Sequence, residues 1–435
     1  MDGAETNTLA KSSPGGQATL LEITPKDIAS YRTALSRMSS GGDASATDMP
    51  PTLTVADGKT ESPRDSLTQS MDKAGHSPSD RAQMSQNFDK FEKNARENGL
   101  NDTQIGDTYK QLNRILTADS AMTSPELRSK FVQQWSEKLA DPGKIRQGWH
   151  DTCGMAFYQK FAIQTMPDRL TGVMADALTK GNMMVPDDSR SLLGMVFYDR
   201  GQAKGERSLP FEKGNYQPDS EAQGKGAHKD GRDYADQVAQ VTLNSIKWNV
   251  KETDPDGTVT TQGRLTFKQC EKVERPSDSQ PPDPHADKSC ESVEQKSFWG
   301  GKIVHDANGY GFGGSSTMGD LARIHRAITG KNAPLMGFDN AQEVFSSPEA
   351  LGNFLEGWQK NGSMPLSLWV HPRHPGFREL YLERHPEKTD VPATTMMHIV
   401  GIDKYNPADK TVEVYNPWGK VSRMSIEDLY KSTGR

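Results

Sequence analysis

Residues 146–162 read RQGWHDTCGMAFYQKFA. One of the three cysteines of this 435-residue chain stands there, at the head of an apolar run with helical spacing. Asp151 and Thr152 carry side chains suited to capping a helix, which puts Cys153 in the first turn. The partial positive charge at a helix N-terminus favours a thiolate. Six residues earlier Gln147 precedes Gly148. A glutamine amide and the backbone N–H of Cys153 make a donor pair for a developing oxyanion, the dominant stabilisation in acyl transfer. A cysteine packed in a core accounts for Cys153 alone and leaves Gln147 unexplained.

A second stretch answers the first. Residues 394–419, TTMMHIVGIDKYNPADKTVEVYNPWG, alternate as two strands around a turn at 406–410. With that turn centred near Ala408, antiparallel partners have numbers summing to about 816. His398 then lies opposite Trp418 and Asn416 opposite Val400. His398 and Asn416 have like parity, so they share a face. Two polar side chains among Met, Ile, Val and Tyr are costly unless each satisfies the other. An Asn oxygen accepting from one ring nitrogen fixes the tautomer and leaves the other nitrogen for chemistry. Trp418 is placed to shield that bond.

Gln-Gly followed by a helix-opening Cys, and much later a strand His and Asn-Pro-Trp-Gly, resembles the papain-like cysteine peptidases, the calpain-type branch most of all. GGSSTMGDLARIHRAITG and LEGWQKNGSMPLSLWV are similar to the segments lying between Cys and His in that branch, so the resemblance spans roughly residues 145–420. It implies an α+β, two-lobe papain-like fold, with a helical lobe bearing Cys153 and an antiparallel sheet lobe bearing His398 and Asn416. It implies a cysteine endopeptidase acting on protein or peptide. Gln147 takes the oxyanion role, Cys153 is the nucleophile, His398 the general base and acid, Asn416 the orienter and Trp418 the cover. Gly154 departs from the tryptophan usual after the cysteine, and Asp151-Thr152 replaces the usual Gly-Asp. Acyl transfer of the transglutaminase or deamidase type is an alternative, although those enzymes usually carry Asp where Asn416 stands. A catalytically silent calpain-like binding module is the other. The resemblance allows calcium, but no recognisable site supports it. No cofactor is expected.

Composition sets the surroundings. Only 33% of residues are hydrophobic, and the mean hydropathy is −0.77. A net charge of −6 argues against a nucleic-acid or anionic-membrane binder, which needs a basic face. No apolar run reaches membrane-spanning length, and no Sec-type signal opens the chain. A cytoplasmic location or export by a signal-independent route, as for a bacterial effector, is expected. Cys270 and Cys290 flank a Pro-rich loop and are expected either paired or reduced.

Residues 1–82 hold one aromatic, Tyr31, and are expected to be largely disordered, with one helical island at Ile28, Tyr31, Leu35 and Met38. Residues 83–143 are expected to be helices, with stripes Phe88, Phe91, Ala95, then Ile105, Tyr109, Leu112, Ile115, Leu116, then Leu127, Phe131, Trp135, Leu139. They form a subdomain packed on the rest of the chain or a pro-segment over an active site. The front of the chain is expected to act either as an autoinhibitory or as an export segment. The peptidase domain is assigned to 144–435. Within it a helical pattern is expected from 150 to about 200, a loop over 201–236, and a hairpin around 254–257. The acidic turn at 254–257 lacks the full EF-hand spacing. A capped helix follows the glycine-rich stretch before residue 317, another starts at Ser347-Pro348, a buried strand lies at 364–370, and 371–392 is expected to be a Pro- and His-rich loop without zinc-ligand spacing.

Overall fold

The computed structural model describes residues 7–11, 19–23, 61–148, 150–186, 206–224, 231–249, 265–269, 292–296, 302–306, 316–334, 336–338, 340–362, 365–384, 388–392, 397–419 and 421–433. The expected helical island near Tyr31, the hairpin turn at 254–257, Cys270, Cys290, His385 and most of the glycine-rich stretch before residue 316 lie outside them.

Strands β1 (Asn7–Lys11) and β2 (Thr19–Ile23) pair antiparallel. Four helices come next: α1 (Pro63–Lys73), α2 (Pro78–Glu97), α3 (Asp102–Thr117) and α4 (Pro125–Ala140). Ser62, Ser77, Asn101 and Ser124 cap them, each accepting the backbone N–H three residues on. Three of the four start with proline, whose missing N–H costs nothing in a first turn. Helix therefore begins at Pro63, and the expected boundary near 82 falls inside α2. Leu67 and Met71, one turn apart and buried, are too sparse to mark α1 by periodicity. The Ser-Pro pairs at 62–63 and 77–78 are the readable signal.

Beyond them lie α5 (Cys153–Thr165), α6 (Pro167–Thr179), and the antiparallel strands β3 (Asn182–Pro186) and β4 (Glu206–Pro210). β3 corrects the expectation of helix beyond Gly181, and β4 that of loop. Helix α7 (Tyr234–Asn249) is the larger correction, since alternation over residues 241–249 predicts a strand. All its residues are buried. A helix covered on every side lacks the polar face that marks it in sequence, and nine residues of alternation fit either period.

Strand β5 (Leu265–Lys268) pairs with β6 (Ser292–Lys296), and β6 with β7 (Lys302–Asp306). Helix α8 (Met318–Thr329) opens on a capping box between Thr317 and Asp320 and ends on Gly330 at φ 68°. Strand β8 (Gly337–Phe338), helix α9 (Ala341–Val344), helix α10 (Pro348–Lys360) and strand β9 (Leu366–Val370) succeed it. Helix α11 (Pro375–Arg384) replaces part of the loop expected over 371–392. Strands β10 (His398–Asn406), β11 (Thr411–Tyr415) and β12 (Val421–Ser425) and helix α12 (Ile426–Ser432) complete the chain.

The protein is α+β. Its largest sheet has five strands in the order β12-β11-β10-β9-β8, antiparallel except for β8 on β9. Strand alternation separates two apolar clusters across it. Ile399 and Tyr415 belong to a cluster that extends through α5, α6 and α7 to Leu67 of α1. Val400, Ile402, Val412 and Val414 belong to another with α10 and α12. The N-terminal helices pack on the later ones, α3 against α6 and α4 against α7, in one continuous core. No helix among the described residues is long and apolar enough to cross a membrane.

Candidate functional site

The register of the terminal hairpin places its polar pair. Gly401 faces Tyr415 and Ile402 faces Val414, both summing to 816. Asn416 therefore comes next, opposite Val400. Beyond Ile402 the register slips by one, and Asp403 is the extra residue of a bulge. His398 opens β10 and Asn416 directly succeeds β11, and His398 Nε2 lies 2.9 Å from Asn416 Oδ1. The same oxygen accepts from the backbone N–H of Trp418 at 3.0 Å. The Trp418 ring stacks on the imidazole, centroids 3.8 Å apart and planes 15° apart. Both His398 and Asn416 are buried. An Asn oxygen accepts, so Nε2 carries the proton and Nδ1 is the nitrogen for a second partner.

Cys153 is the first residue of α5, buried and not in a disulfide. Thr152 occupies the capping position, but its hydroxyl makes no cap. It donates instead to Gln240 Oε1 at 2.7 Å, so no side-chain oxygen of Thr152 competes for the first-turn N–H groups.

Helix and sheet meet along the thiol's own turn. A Cβ placed on Gly154 would lie 3.1 Å from Ile399 Cδ1, and one on Gly401 would lie 3.3 Å from the Phe157 ring. α5 and β10 thus run side by side with their first residues, Cys153 and His398, at the same end. Ile399 and Gly401 turn toward α5, and His398 and Asn416 meet at the end of the ribbon that lies beside the head of that helix. Lys160, two turns along α5, bonds both carboxylate oxygens of Asp403 at 2.6 Å. The bulge turns Asp403 toward that helix. Burial lowers Lys160 and raises Asp403, each partly offset by the other's charge.

The loop before Cys153 is fixed to the same ribbon. Gln147 N donates to Pro417 O at 3.0 Å, and Tyr415 Oη donates to Ile145 O at 3.0 Å. The Gln147 side chain donates through Nε2 to His150 O at 2.7 Å. An amide nitrogen carries two hydrogens, and this bond uses one. Gly148, at φ 63°, makes the turn that lets the chain fold back under Gln147.

Sequence reading missed the other side of this loop. Asp236 Oδ2 of α7 accepts from Arg146 N at 2.9 Å, and Gln240 Nε2 donates to Arg146 O at 2.7 Å. Lys138 Nζ lies 3.0 Å from Asp236 and 2.9 Å from Asp233. Burial pushes the Asp236 carboxyl up, against the pull of the Lys138 charge. Asp236 and Gln240 sit one helical turn apart in a helix whose sixteen residues are half polar. Among so many polar residues the i, i+4 pair carries no distinct signal in the sequence.

Gln147, Cys153, His398, Asn416 and Trp418 thus come from two distant segments joined by backbone bonds and packing. In the 371–392 stretch, the backbone N–H of His371 donates to Ser432 O. Among the described residues no cluster of three or more His, Cys, Asp or Glu is arranged to hold a metal ion. Comparison with family models, curated proteins and solved structures returned no match.

Proposed function

We propose that the chain carries a papain-like core of calpain type and acts as a cysteine endopeptidase. The observation that carries this reading is the His398–Asn416 bond beneath Trp418, on a strand whose first turn of contact is with the helix that Cys153 opens. A thiol at a helix N-terminus, an imidazole with its tautomer set by an amide oxygen and a glutamine amide in the intervening loop together supply nucleophile, base, orienter and oxyanion donor.

In this mechanism the Cys153 sulfur adds to the peptide carbonyl carbon, and the carbonyl electron pair moves onto oxygen, which Gln147 Nε2 and the Cys153 N–H hold. His398 Nδ1 takes the Cys153 thiol proton as the sulfur adds, its Nε2–H staying on Asn416, and as the C–N bond breaks Nδ1 gives that proton to the leaving amine. His398 then takes a proton from water, whose oxygen attacks the thioester. The C–S bond breaks and the acid product leaves.

The test is incubation of wild type and Cys153→Ala with a denatured proteome, reading new N-termini by mass spectrometry. New termini from wild type alone support the reading, and none from either overturns it. A bifunctional alkylating agent such as 1,3-dibromoacetone should also join Cys153 to His398.

The burial of Cys153 at 7% and of His398 at 3% exposure favours a second reading, a catalytically silent module with the same core. Iodoacetamide at mildly acidic pH separates the two, because an inert Cys153 belongs to the silent module.

A further inference from the structure

Beneath the Gln147–Cys153 loop lies a buried group of charges that the proposed chemistry does not use. Asp219 sits in a turn between β4 and α7. Its Oδ2 accepts from Arg232 Nη2 at 2.6 Å and from Gln269 Nε2 at 2.9 Å. His150 Nε2 lies 3.3 Å from the same oxygen. The other oxygen accepts from Ala222 N at 2.8 Å. Glu221 Oε1 accepts from Arg232 N at 3.2 Å. Asp219, Glu221, Arg232 and His150 are all at most 3% exposed. Burial works against the Asp219 charge, and Arg232 with His150 overcomes it, holding the carboxyl below its ordinary range.

Charges so deeply buried hold their neighbours in one geometry, because any displacement strands one of them without a partner. His150 connects this group to the candidate site. Its ring rests on Asp219, and its carbonyl accepts the Gln147 side-chain amide. Glu221 occupies the space below Gly148, where a Cβ would collide with its carboxylate. The loop has Gln147 on its upper side and the charge cluster on its lower side, and residue 150 touches both.

We propose that His150, anchored on Asp219 and Arg232, is a positioning residue that aims the Gln147 amide at the oxyanion. This rests on the peptidase reading. A donor fixed before the reaction needs no reorganisation when charge develops, which is the source of oxyanion stabilisation. The His150 side chain acts through its own backbone carbonyl, so its loss loosens the donor and leaves Cys153 and His398 in place. Removing such a donor outright costs about 100- to 1000-fold, and loosening one costs less.

The experiment compares wild type, His150→Phe, His150→Gln and Gln269→Ala, with folding checked by thermal melting. Three quantities are read: kcat and KM on a peptide substrate, the inhibition constant of a peptide aldehyde, and the rate of Cys153 alkylation by iodoacetamide. The aldehyde adduct carries the oxyanion, whereas alkylation needs only thiolate and imidazole. His150→Phe should lower kcat about 10-fold at unchanged KM and weaken the aldehyde equally, with alkylation unaltered. His150→Gln keeps an N–H donor and should recover part of the loss. Gln269→Ala relaxes Asp219 while Arg232 stays paired, should lower kcat about threefold, and decides the matter if His150→Phe does not fold. Wild-type kcat and aldehyde affinity in folded variants overturn the proposal, as does an equal loss in alkylation. A wild type that alkylates readily but neither cleaves nor binds aldehyde removes the peptidase reading and this proposal with it.

Discussion

The Nε2 nitrogen of His398 stands 2.9 Å from the Oδ1 oxygen of Asn416, and Trp418 lies flat over the bond. Both side chains are buried in an otherwise apolar ribbon, so each is the remedy for the other's desolvation. Replacing Asn416 by Ala leaves a buried imidazole without its acceptor. Loss of a buried hydrogen bond of this kind costs about 1–3 kcal/mol, or about 10- to 100-fold in kcat/KM if the imidazole is the base. Trp418→Ala should act in the same direction and less strongly, because water then competes for the bond. Steady-state kinetics on the variants checks both. An Asn416→Ala variant with wild-type kcat/KM removes Asn416 from the proposed mechanism.

Gly154 tests how tightly the head of α5 is fitted. A Cβ there would stand 2.8 Å from Ser316 Cβ, closer than packed carbons tolerate, and Ser316 is itself buried just before α8. Gly154→Ala should destabilise by about 1–3 kcal/mol, the range for overpacking. Adding Ser316→Gly should recover most of that in a double-mutant cycle. Equal melting temperatures for wild type and Gly154→Ala would contradict the contact.

Much of this arrangement was legible before any coordinates, for a specific reason. Period-2 alternation and one turn at 406–410 determine a register, and a register determines which residues meet. Next to the turn the partners sum to 817, which alone would put His398 and Asn416 on opposite faces, and the extra residue Asp403 shifts the sum to the expected 816; the like-parity placement therefore holds because of a bulge that the alternation does not show. Helix starts at Pro125 and Pro348 were legible because Ser-Pro writes both the cap and the first turn. Helix α7 was not, because its burial on all sides erased the polar face. The cluster of His150, Asp219 and Arg232 was not legible either, since ion pairs between distant segments leave no periodicity. The α+β class was expected from the family resemblance, and the mixture of helices and strands agrees with it.

The Lys160–Asp403 pair should behave as a strut between α5 and β10. Lys160→Met leaves the bulge carboxylate against an apolar neighbour, and breaking a buried pair from one side costs about 3–5 kcal/mol. Lys160→Met with Asp403→Leu should restore much of this. The sign of the pH dependence is fixed by Asp403, whose folded-state value is raised by burial even with Lys160 present. Without Lys160 it rises further. A raised carboxyl contributes stability below its unfolded value and loses it as pH climbs through the folded one. The single variant should therefore approach wild-type stability as pH falls from neutrality toward about 5. Urea midpoints measured across that interval check it, and a gap independent of pH would mean that Asp403 is not the group left stranded.

His325 on α8 supplies an acid-limb prediction independent of the site chemistry. Its ring packs edge-on to Tyr158 and Phe161, with Nδ1 3.4 Å from the Tyr158 hydroxyl. Burial, and secondarily Lys331, lowers its value from the ordinary 6.5 to about 4. Between those limits the unfolded chain binds a proton that the folded chain refuses. Stability is therefore full above about pH 6.5 and declines as pH falls toward 4, by up to about 3 kcal/mol for such a displacement. His325→Phe keeps the ring and removes the titration. The variant starts below wild type at neutral pH if Tyr158 misses its partner, and the difference should shrink or reverse by pH 4.5. A constant offset between the two urea curves from pH 7 to 4.5 would show that His325 takes up its proton in the folded state as readily as in the unfolded one.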